Sequence, residues 1–346
     1  MIAQREFGKT REGKSVTLFS LKNKNGMQAD VMDYGANLVN LLVPDREGNI
    51  ADVCLGYDNL EAYFDNSSFF GATVGPVANR TADAKFEIGG VEYQLDVNDN
   101  QNNLHSHFEK GLHKVLWDAV VNEDDNSVTF SAASKDGEIG FPGNRTFAVT
   151  YQLTDENELS IHYDAESDKD TIINMTNHSY FNLKGHDNPS ILDEKLWIGA
   201  STYTEIVPGA IPTGNIIPVA GTPLDFTTLT TIGDRIEDPS EQLVMVKGYD
   251  HNYVVDNQGT FKKVAEVVDE AAGRTMEVYS DLPGIQFYAG NCIGEHTGKG
   301  GATYGKWHGL ALETQYYPNS ANQEGFPRPV TGPGRPYSTT TVYKFR

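Results

Sequence analysis

Cysteine is almost absent from this chain. Only Cys54 and Cys292 occur in 346 residues, so a disulfide framework is excluded. Both sit among apolar, strand-like neighbours, Ala51-Asp-Val-Cys-Leu-Gly56 and Gly290-Asn-Cys-Ile-Gly294, a setting that predicts buried free thiols. Positive charge is also scarce. Against 27 Lys and Arg stand 48 Asp and Glu, a net charge of −21. Nucleic acid and anionic membrane each need a basic surface, and neither is expected as a partner. No apolar run approaches the length of a membrane span. The opening Met1-Ile-Ala-Gln-Arg-Glu6 has no apolar core of the secretory kind. Five Asn-x-Ser/Thr sequons occur, at Asn66, Asn79, Asn144, Asn174 and Asn177, but a glycan on either of the last two would crowd His178. A cytoplasmic location is therefore the expectation.

Helical periodicity is the other thing in short supply. Asn59–Phe64 and Thr227–Ile236 are the only stretches that predict short helices. The rest reads as strand after strand. Lys85–Leu95 predicts a hairpin turning at Gly89-Gly90. Arg145–Leu153 and Leu159–Tyr163 predict another. Leu38–Val43 pairs with Ala51–Leu55, and Phe261–Val268 with Thr275–Tyr279, each across a polar turn. Many short strands separated by Gly, Asp and Asn turns predict an all-β fold, a large antiparallel sandwich or barrel. Val207–Pro223 and Gly325–Pro336 read as long ordered loops. No linker, repeat or low-complexity segment interrupts the pattern, so residues 1–346 are read as one domain.

Two stretches carry chemistry. In Leu310-Ala-Leu-Glu-Thr-Gln315, strand alternation puts Leu310, Leu312 and Thr314 on one face and Ala311, Glu313 and Gln315 on the other. With the leucines in a core, Glu313 points into a groove; the competing reading is a solvated carboxylate on an exposed face. In Asn177-His-Ser-Tyr-Phe-Asn182 one imidazole, His178, stands among amides, a hydroxyl and aromatics. It can be an acid or base, or a structural hydrogen-bonded histidine. A carboxylate and an imidazole meeting in a cleft supply a base and an acid near neutral pH.

Other signals are weaker. His105-Ser-His107 with His113 has a metal-ligand spacing but lacks the glutamate and further histidine that metal-binding barrels add, and no metal is expected. Gly294-Glu-His-Thr-Gly-Lys-Gly300 imitates a phosphate loop with one spacer too few and no Ser or Thr after the lysine, so a flexible surface loop is the reading. The chain has no Gly-x-Ser-x-Gly elbow and no Cys-x-x-Cys pair.

Along nearly its whole length the sequence resembles the aldose 1-epimerase (galactose mutarotase) family. The likeness runs through Asp33-Tyr-Gly-Ala36, Leu55-Gly-Tyr57, Phe70-Gly-Ala72, Ala78-Asn-Arg80 and Asn103-Leu-His105. It continues through Thr176-Asn-His-Ser-Tyr-Phe-Asn-Leu183, Gly248-Tyr-Asp-His-Asn252, Pro283-Gly-Ile-Gln-Phe-Tyr288, Leu312-Glu-Thr-Gln315 and Thr339-Thr-Thr-Val-Tyr343. The resemblance implies a large antiparallel β-sandwich and an isomerase that interconverts the α and β anomers of free hexoses, chiefly galactose and glucose. It implies Glu313 as base at the anomeric hydroxyl, His178 as acid at the ring oxygen, and His105 assisting there. It implies that Asp250, Arg80, Asn79 and Gln286 hold sugar hydroxyls, with no cofactor. A small sugar is the expected partner, and the protein is read as a monomer or homodimer. The alternatives are a non-catalytic carbohydrate-binding or regulatory protein on the same scaffold, and an epimerase of a phosphorylated hexose. Two departures stand out. Gly75-Pro76 replaces the family's usual Gly-Arg, and Leu104-His-Ser-His107 replaces Leu-His-Gly-Gly. If the chain is extended there, His107 shares the face of His105 and borders the cleft; if the loop turns, His107 faces solvent.

Overall fold

Arg145–Leu153 buries Phe147, Val149, Tyr151 and Leu153 and leaves the residues between them more open. That period of two is the signature of a strand with one face on a core. The computed structural model, which describes residues 1–257 and 259–346, places this strand in a nine-stranded antiparallel sheet. In spatial order the sheet runs Asp118–Asn122, Ser127–Ser134, Arg145–Leu153, Glu158–Ser167, Tyr337–Phe345, Arg274–Ser280, Lys262–Asp269, Lys195–Ile198 and Thr230–Thr231. A six-stranded antiparallel sheet runs Tyr180–Phe181, Leu310–Gln315, Gly284–Tyr288, Asp250–Val254, Thr202–Val207 and Ile211–Pro218. Ala3–Lys9 to Ile50–Asp52 form a five-stranded meander.

One apolar cluster joins the three sheets. It takes Phe19 and Val31 from the meander, Phe130, Phe147 and Ile161 from the large sheet, and Phe287, Leu310 and Leu312 from the six-stranded sheet. Phe19 meets Phe130 edge-on with ring centres 5.6 Å apart, and Phe181 meets Tyr343 at 4.9 Å. Buried hydroxyls are satisfied across the same interface. Tyr343 Oη donates to the Leu312 carbonyl at 3.1 Å and Tyr151 Oη to the Ala36 carbonyl at 2.9 Å. The result is the all-β sandwich expected from the sequence.

The four expected strand pairs form. Gly89 and Gly90 both take positive φ (61° and 79°) between Lys85–Ile88 and Val91–Gln94, as a two-residue hairpin turn of matching twist requires. Leu60–Phe64 is helical, its first turn capped by Asn59 Oδ1 accepting from the Ala62 N–H at 3.1 Å.

Two expectations are corrected. Thr227–Ile236 is not a helix: Thr230–Thr231 extends the large sheet and Ile232–Asp234 is a single 3-10 turn. The second α-helix is Glu241–Val246, which buries only Leu243 and so leaves no periodic signature. Within Val207–Pro223, read as a loop, Ile211–Pro218 is a strand. It lies at a sheet edge, where Pro212 and Pro218 need not donate to a ladder. Among the described residues no helix is long and apolar enough to cross a membrane.

One buried carboxyl links the fold to pH. Glu194 is fully buried; its Oε1 accepts the Leu183 N–H at 2.7 Å and Oε2 has no partner. Burial raises its pKa from 4.5 to about 8. The folded state therefore holds a proton that the unfolded chain releases above about pH 4.5. Stability from this group is complete below that pH and declines as pH rises toward about 8. Comparing wild type with Glu194→Gln by urea unfolding at pH 5 and pH 8.5 isolates the effect. The variant is expected to gain relative stability at the higher pH; equal shifts in both proteins would remove Glu194 as the cause.

Candidate active site

The strand Leu310–Gln315 is buried on both faces. Leu310 and Leu312 enter the main core, as alternation predicts, while Ala311 packs in a smaller aromatic cluster on the other side. Glu313 shares that second side and is only 2% exposed, so the solvated-carboxylate reading fails. It lines a cavity of about 210 Å³ together with His178, His105, Arg80, Asn79 and Asp250. His178 comes from Thr176–His178, a strand paired with Ala72–Val74. Its Nε2 lies 3.6 Å from Glu313 Oε1. The two residues that the sequence left in separate stretches therefore meet.

Burial dominates their electrostatics. It pushes the Glu313 carboxyl well above its ordinary range, with the negative charge of Asp250 adding and Arg80 opposing. It pulls the His178 imidazole down to about 4. Burial thus disfavours the charged form of both groups.

Arg80 supplies the cationic wall. Its Nε donates to Asp99 Oδ2 at 2.9 Å, and Nη1 lies 3.8 Å from Asp250 Oδ2. Asp250 Oδ1 also accepts from Gln286 Nε2 at 2.7 Å. Gln286 stands behind this pair rather than on the cavity wall. Its other amide atom accepts from Gln315 Nε2 at 3.2 Å, so it orients Asp250. His105 sits on a backbone with φ of 54°, and its Nδ1 accepts the Asn79 N–H at 3.1 Å.

Several residues in or behind the cavity wall have no role assigned from the sequence. Phe69 has a positive φ of 59°, rare for a bulky side chain, and is held there between backbone bonds to Asn66 and Ala72. Its ring packs on His105 at 4.7 Å and stacks on His178 at 5.9 Å, which helps hold both imidazoles in place. Tyr288 and Cys292 line the mouth, and Tyr288 Oη accepts the Cys292 N–H at 2.8 Å. Asp99, the partner of Arg80, lies in a loop whose sequence gives no sign of it.

Two readings change, for Cys292 and for residues 294–300, and the alternative left open at His107 is resolved. Cys54 is buried, its thiol pushed up to about 12 by burial, but Cys292 is exposed at the cavity mouth because Gly290–Gly294 turns instead of extending. His107 does not border the cavity. His105 and Ser106 both take left-handed backbones, so the chain turns, and His107 Nδ1 accepts the N–H groups of Glu109 and Lys110 at 3.1 and 3.2 Å. Among the described residues the group with ligand atoms within 4.8 Å of one another is His105, His178 and Glu313, and it includes neither His107 nor His113. Residues 294–300 are not a free surface loop either. Lys299 is buried, bonding Asp52 Oδ2 at 2.5 Å and the Val39 carbonyl at 2.8 Å.

The family model described as aldose 1-epimerase matches residues 17–344. The chain belongs to the aldose 1-epimerase family. It is 42% identical over 334 residues to the galactose mutarotase of Mus musculus, covering 96% of this chain and 95% of that one. It is 38% identical over 337 residues to the aldose 1-epimerase of Escherichia coli (strain K12), covering 96% of each. Among solved structures, an aldose epimerase homologue from C. elegans superposes with a TM-score of 0.87 at 29% identity, over 95% of this chain and 98% of that one. A galactose 1-epimerase from Lactobacillus acidophilus NCFM gives 0.87 at 27% identity, over 100% and 98%. The protein is thus an isomerase, its relatives support mutarotase activity, and the cavity around Glu313 and His178 is the candidate active site.

Proposed function

We propose that the chain interconverts the α and β anomers of free aldohexoses such as galactose and glucose through acid–base ring opening. The observation that carries this reading is the 3.6 Å approach of His178 Nε2 to Glu313 Oε1 in a polar cavity. Glu313 takes the proton of the anomeric hydroxyl while His178 gives one to the ring oxygen. The C1–O5 bond breaks and an open aldehyde forms. Rotation about C1–C2 presents the other carbonyl face, the transfers reverse, and both residues regain their starting protonation. Asp250, Arg80 and Asn79 are placed to hold ring hydroxyls through directional hydrogen bonds. Gln286 serves them by fixing Asp250.

The proton inventory supports this scheme in a form the sequence did not suggest. A carboxylate beside an imidazole ordinarily favours the charged form of both, yet here burial favours the neutral form of each. Neutral acid with neutral imidazole and carboxylate with imidazolium contain the same single proton. Sugar hydroxyls bound at the carboxylate replace its lost water and favour the second, reactive arrangement. Activity should therefore be bell-shaped in pH, lost when the pair gains a second proton or gives up the one it shares. In His178→Asn the alkaline limb should be replaced by a slow rise as Glu313 ionises, with kcat roughly 10²-fold lower. A retained alkaline limb would move the acid role elsewhere.

A phosphorylated hexose is poorly matched. Among the described residues lining the cavity Arg80 is the one Lys or Arg, and Asp99 and Asp250 already oppose its charge. Polarimetry of freshly dissolved α-galactose and α-glucose tests the proposal. Faster decay of rotation than in buffer is expected, and a buffer rate for both sugars would overturn the assignment of substrate.

A further inference from the structure

We propose that His105 is a fixed, neutral hydrogen-bond donor, locked in one tautomer by the peptide N–H of Asn79. A peptide nitrogen can only donate. Since Asn79 N–H points at His105 Nδ1 from 3.1 Å, that ring nitrogen must present its lone pair. The ring hydrogen then sits on Nε2, the nitrogen left to meet the cavity that His105 lines. An imidazolium would set Nδ1–H against the peptide N–H, two donors head to head, so protonation of the ring requires breaking the contact.

The contact is built to hold. His105 N–H donates back to the Asn79 carbonyl at 3.1 Å, so the two residues grip each other in both directions. Asn103–Leu104 pairs with Arg80–Thr81 just before it. Just after it, Ser106 Oγ accepts the Val77 N–H and donates to the Val77 carbonyl, each at 2.9 Å. Asn79, His105 and Ser106 all take left-handed backbones, with φ of 61°, 54° and 67°, which brings these side chains round onto the facing backbone. The charged and titratable groups around the ring agree. His178, Arg80 and His113 all disfavour a positive His105, with Glu313 the one anion in its immediate group. Burial is the largest force holding the ring neutral.

Two consequences follow. His105 contributes no pH limb of its own and is a constant donor to whatever acceptor lies in the cavity. His105, His178 and Glu313 stand within 4.8 Å of one another, a ligand-like spacing, but the same lock would make His105 a poor ligand there. A metal needs the lone pair of the cavity-facing nitrogen, and here that nitrogen carries the hydrogen. That the acceptor is a sugar ring oxygen rests on the mutarotase reading; the tautomer does not.

Long-range proton–nitrogen NMR on protein labelled with ¹⁵N-histidine tests the lock directly, with His105 signals identified by their loss in His105→Gln. A protonated Nε2 and bare Nδ1 are expected from pH 5 to pH 9, unchanged by one equivalent of Zn²⁺. An Nδ1–H form, a titration within that range, or displacement of the His105 signals by zinc would overturn the proposal. Enzyme variants give a second reading. Glutamine reaches its amide N–H toward the Nε2 position, so His105→Gln should cost about tenfold in kcat and leave both pH limbs in place. Asparagine can offer an acceptor to the Asn79 N–H but is too short to carry its own N–H to the Nε2 position, so His105→Asn should cost on the order of 10²-fold. If glutamine is as damaging as asparagine and a pH limb disappears, His105 is a titrating acid and the lock is refuted. If no aldose is a substrate, the NMR result still decides the tautomer.

Discussion

Glu313→Gln is expected to lower kcat by roughly 10²-fold or more while the fold survives. The amide matches the carboxyl in shape but cannot take the anomeric proton. The strand that carries it is clamped between Tyr180–Phe181 and Gly284–Tyr288, with Gln286 opposite Glu313 and the flanking leucines in the core. An isosteric change there has little reason to move the backbone. Burial makes the wild-type carboxylate a stronger base than one in water, which enlarges the loss on removing it. Glu313 Oε2 has no protein partner, so the new NH₂ group displaces no existing bond. KM should change much less than kcat, because the hydroxyl-binding groups remain. Polarimetric kcat and KM, with urea unfolding as the control for folding, check this. Turnover within a few-fold of wild type would remove Glu313 as the base.

Lys299→Met should destabilise the protein by about 3–5 kcal/mol, the usual cost of orphaning one partner of a buried ion pair. The Lys299 side chain is 4% exposed and that of Asp52 13%. The ammonium also satisfies the Val39 carbonyl and Asn40 Oδ1 at 2.8 and 3.2 Å. Methionine fills the volume but leaves all three acceptors short of a donor. Asp52 keeps its bonds from the Leu41 and Cys54 N–H groups, at 3.0 and 3.2 Å, which moderates the loss. Lys299 also anchors the segment that carries Cys292 and Ile293 to the cavity mouth. A raised KM should accompany the lost stability. The urea midpoint measures the first effect and polarimetry the second. A loss below about 1 kcal/mol would place Lys299 among ordinary surface pairs.

The contrast between these two residues bears on what sequence can convey. Glu313 is legible because strand alternation is a local rule, and the leucines beside it declare which face is inside. The hairpins around Gly89-Gly90 and Thr154–Asn157 are legible for the same reason. Lys299 is not, because its partner lies 247 positions away and its surroundings look like a solvent loop. Asp99 and Phe69 are hidden likewise: one is chosen by Arg80 across a turn, the other by a left-handed backbone imposed by neighbours. His107 misleads because its face depends on whether His105 and Ser106 are extended, and two positive φ values reverse the answer. The family likeness locates His178, Arg80 and Asp250, but it does not convey that Gln286 stands behind Asp250 rather than on the cavity wall.

The placement of Tyr337–Phe345 has a consequence for how the molecule is made. This strand, late in the sequence, lies between Glu158–Ser167 and Arg274–Ser280 in the middle of the large sheet. A ribosome releases residues 118–167 and then 195–280 before the strand that joins them exists. Each block waits with a long open edge, the kind of surface on which nascent chains pair wrongly with one another. The two edges close together when residues 337–345 arrive. Thr341 then meets Thr314, beside Glu313, through hydroxyls 2.5 Å apart. Completion of the sheet and completion of the surroundings of Leu310–Gln315 thus depend on the same late strand, and a chain halted before residue 337 carries two unsealed half-sheets.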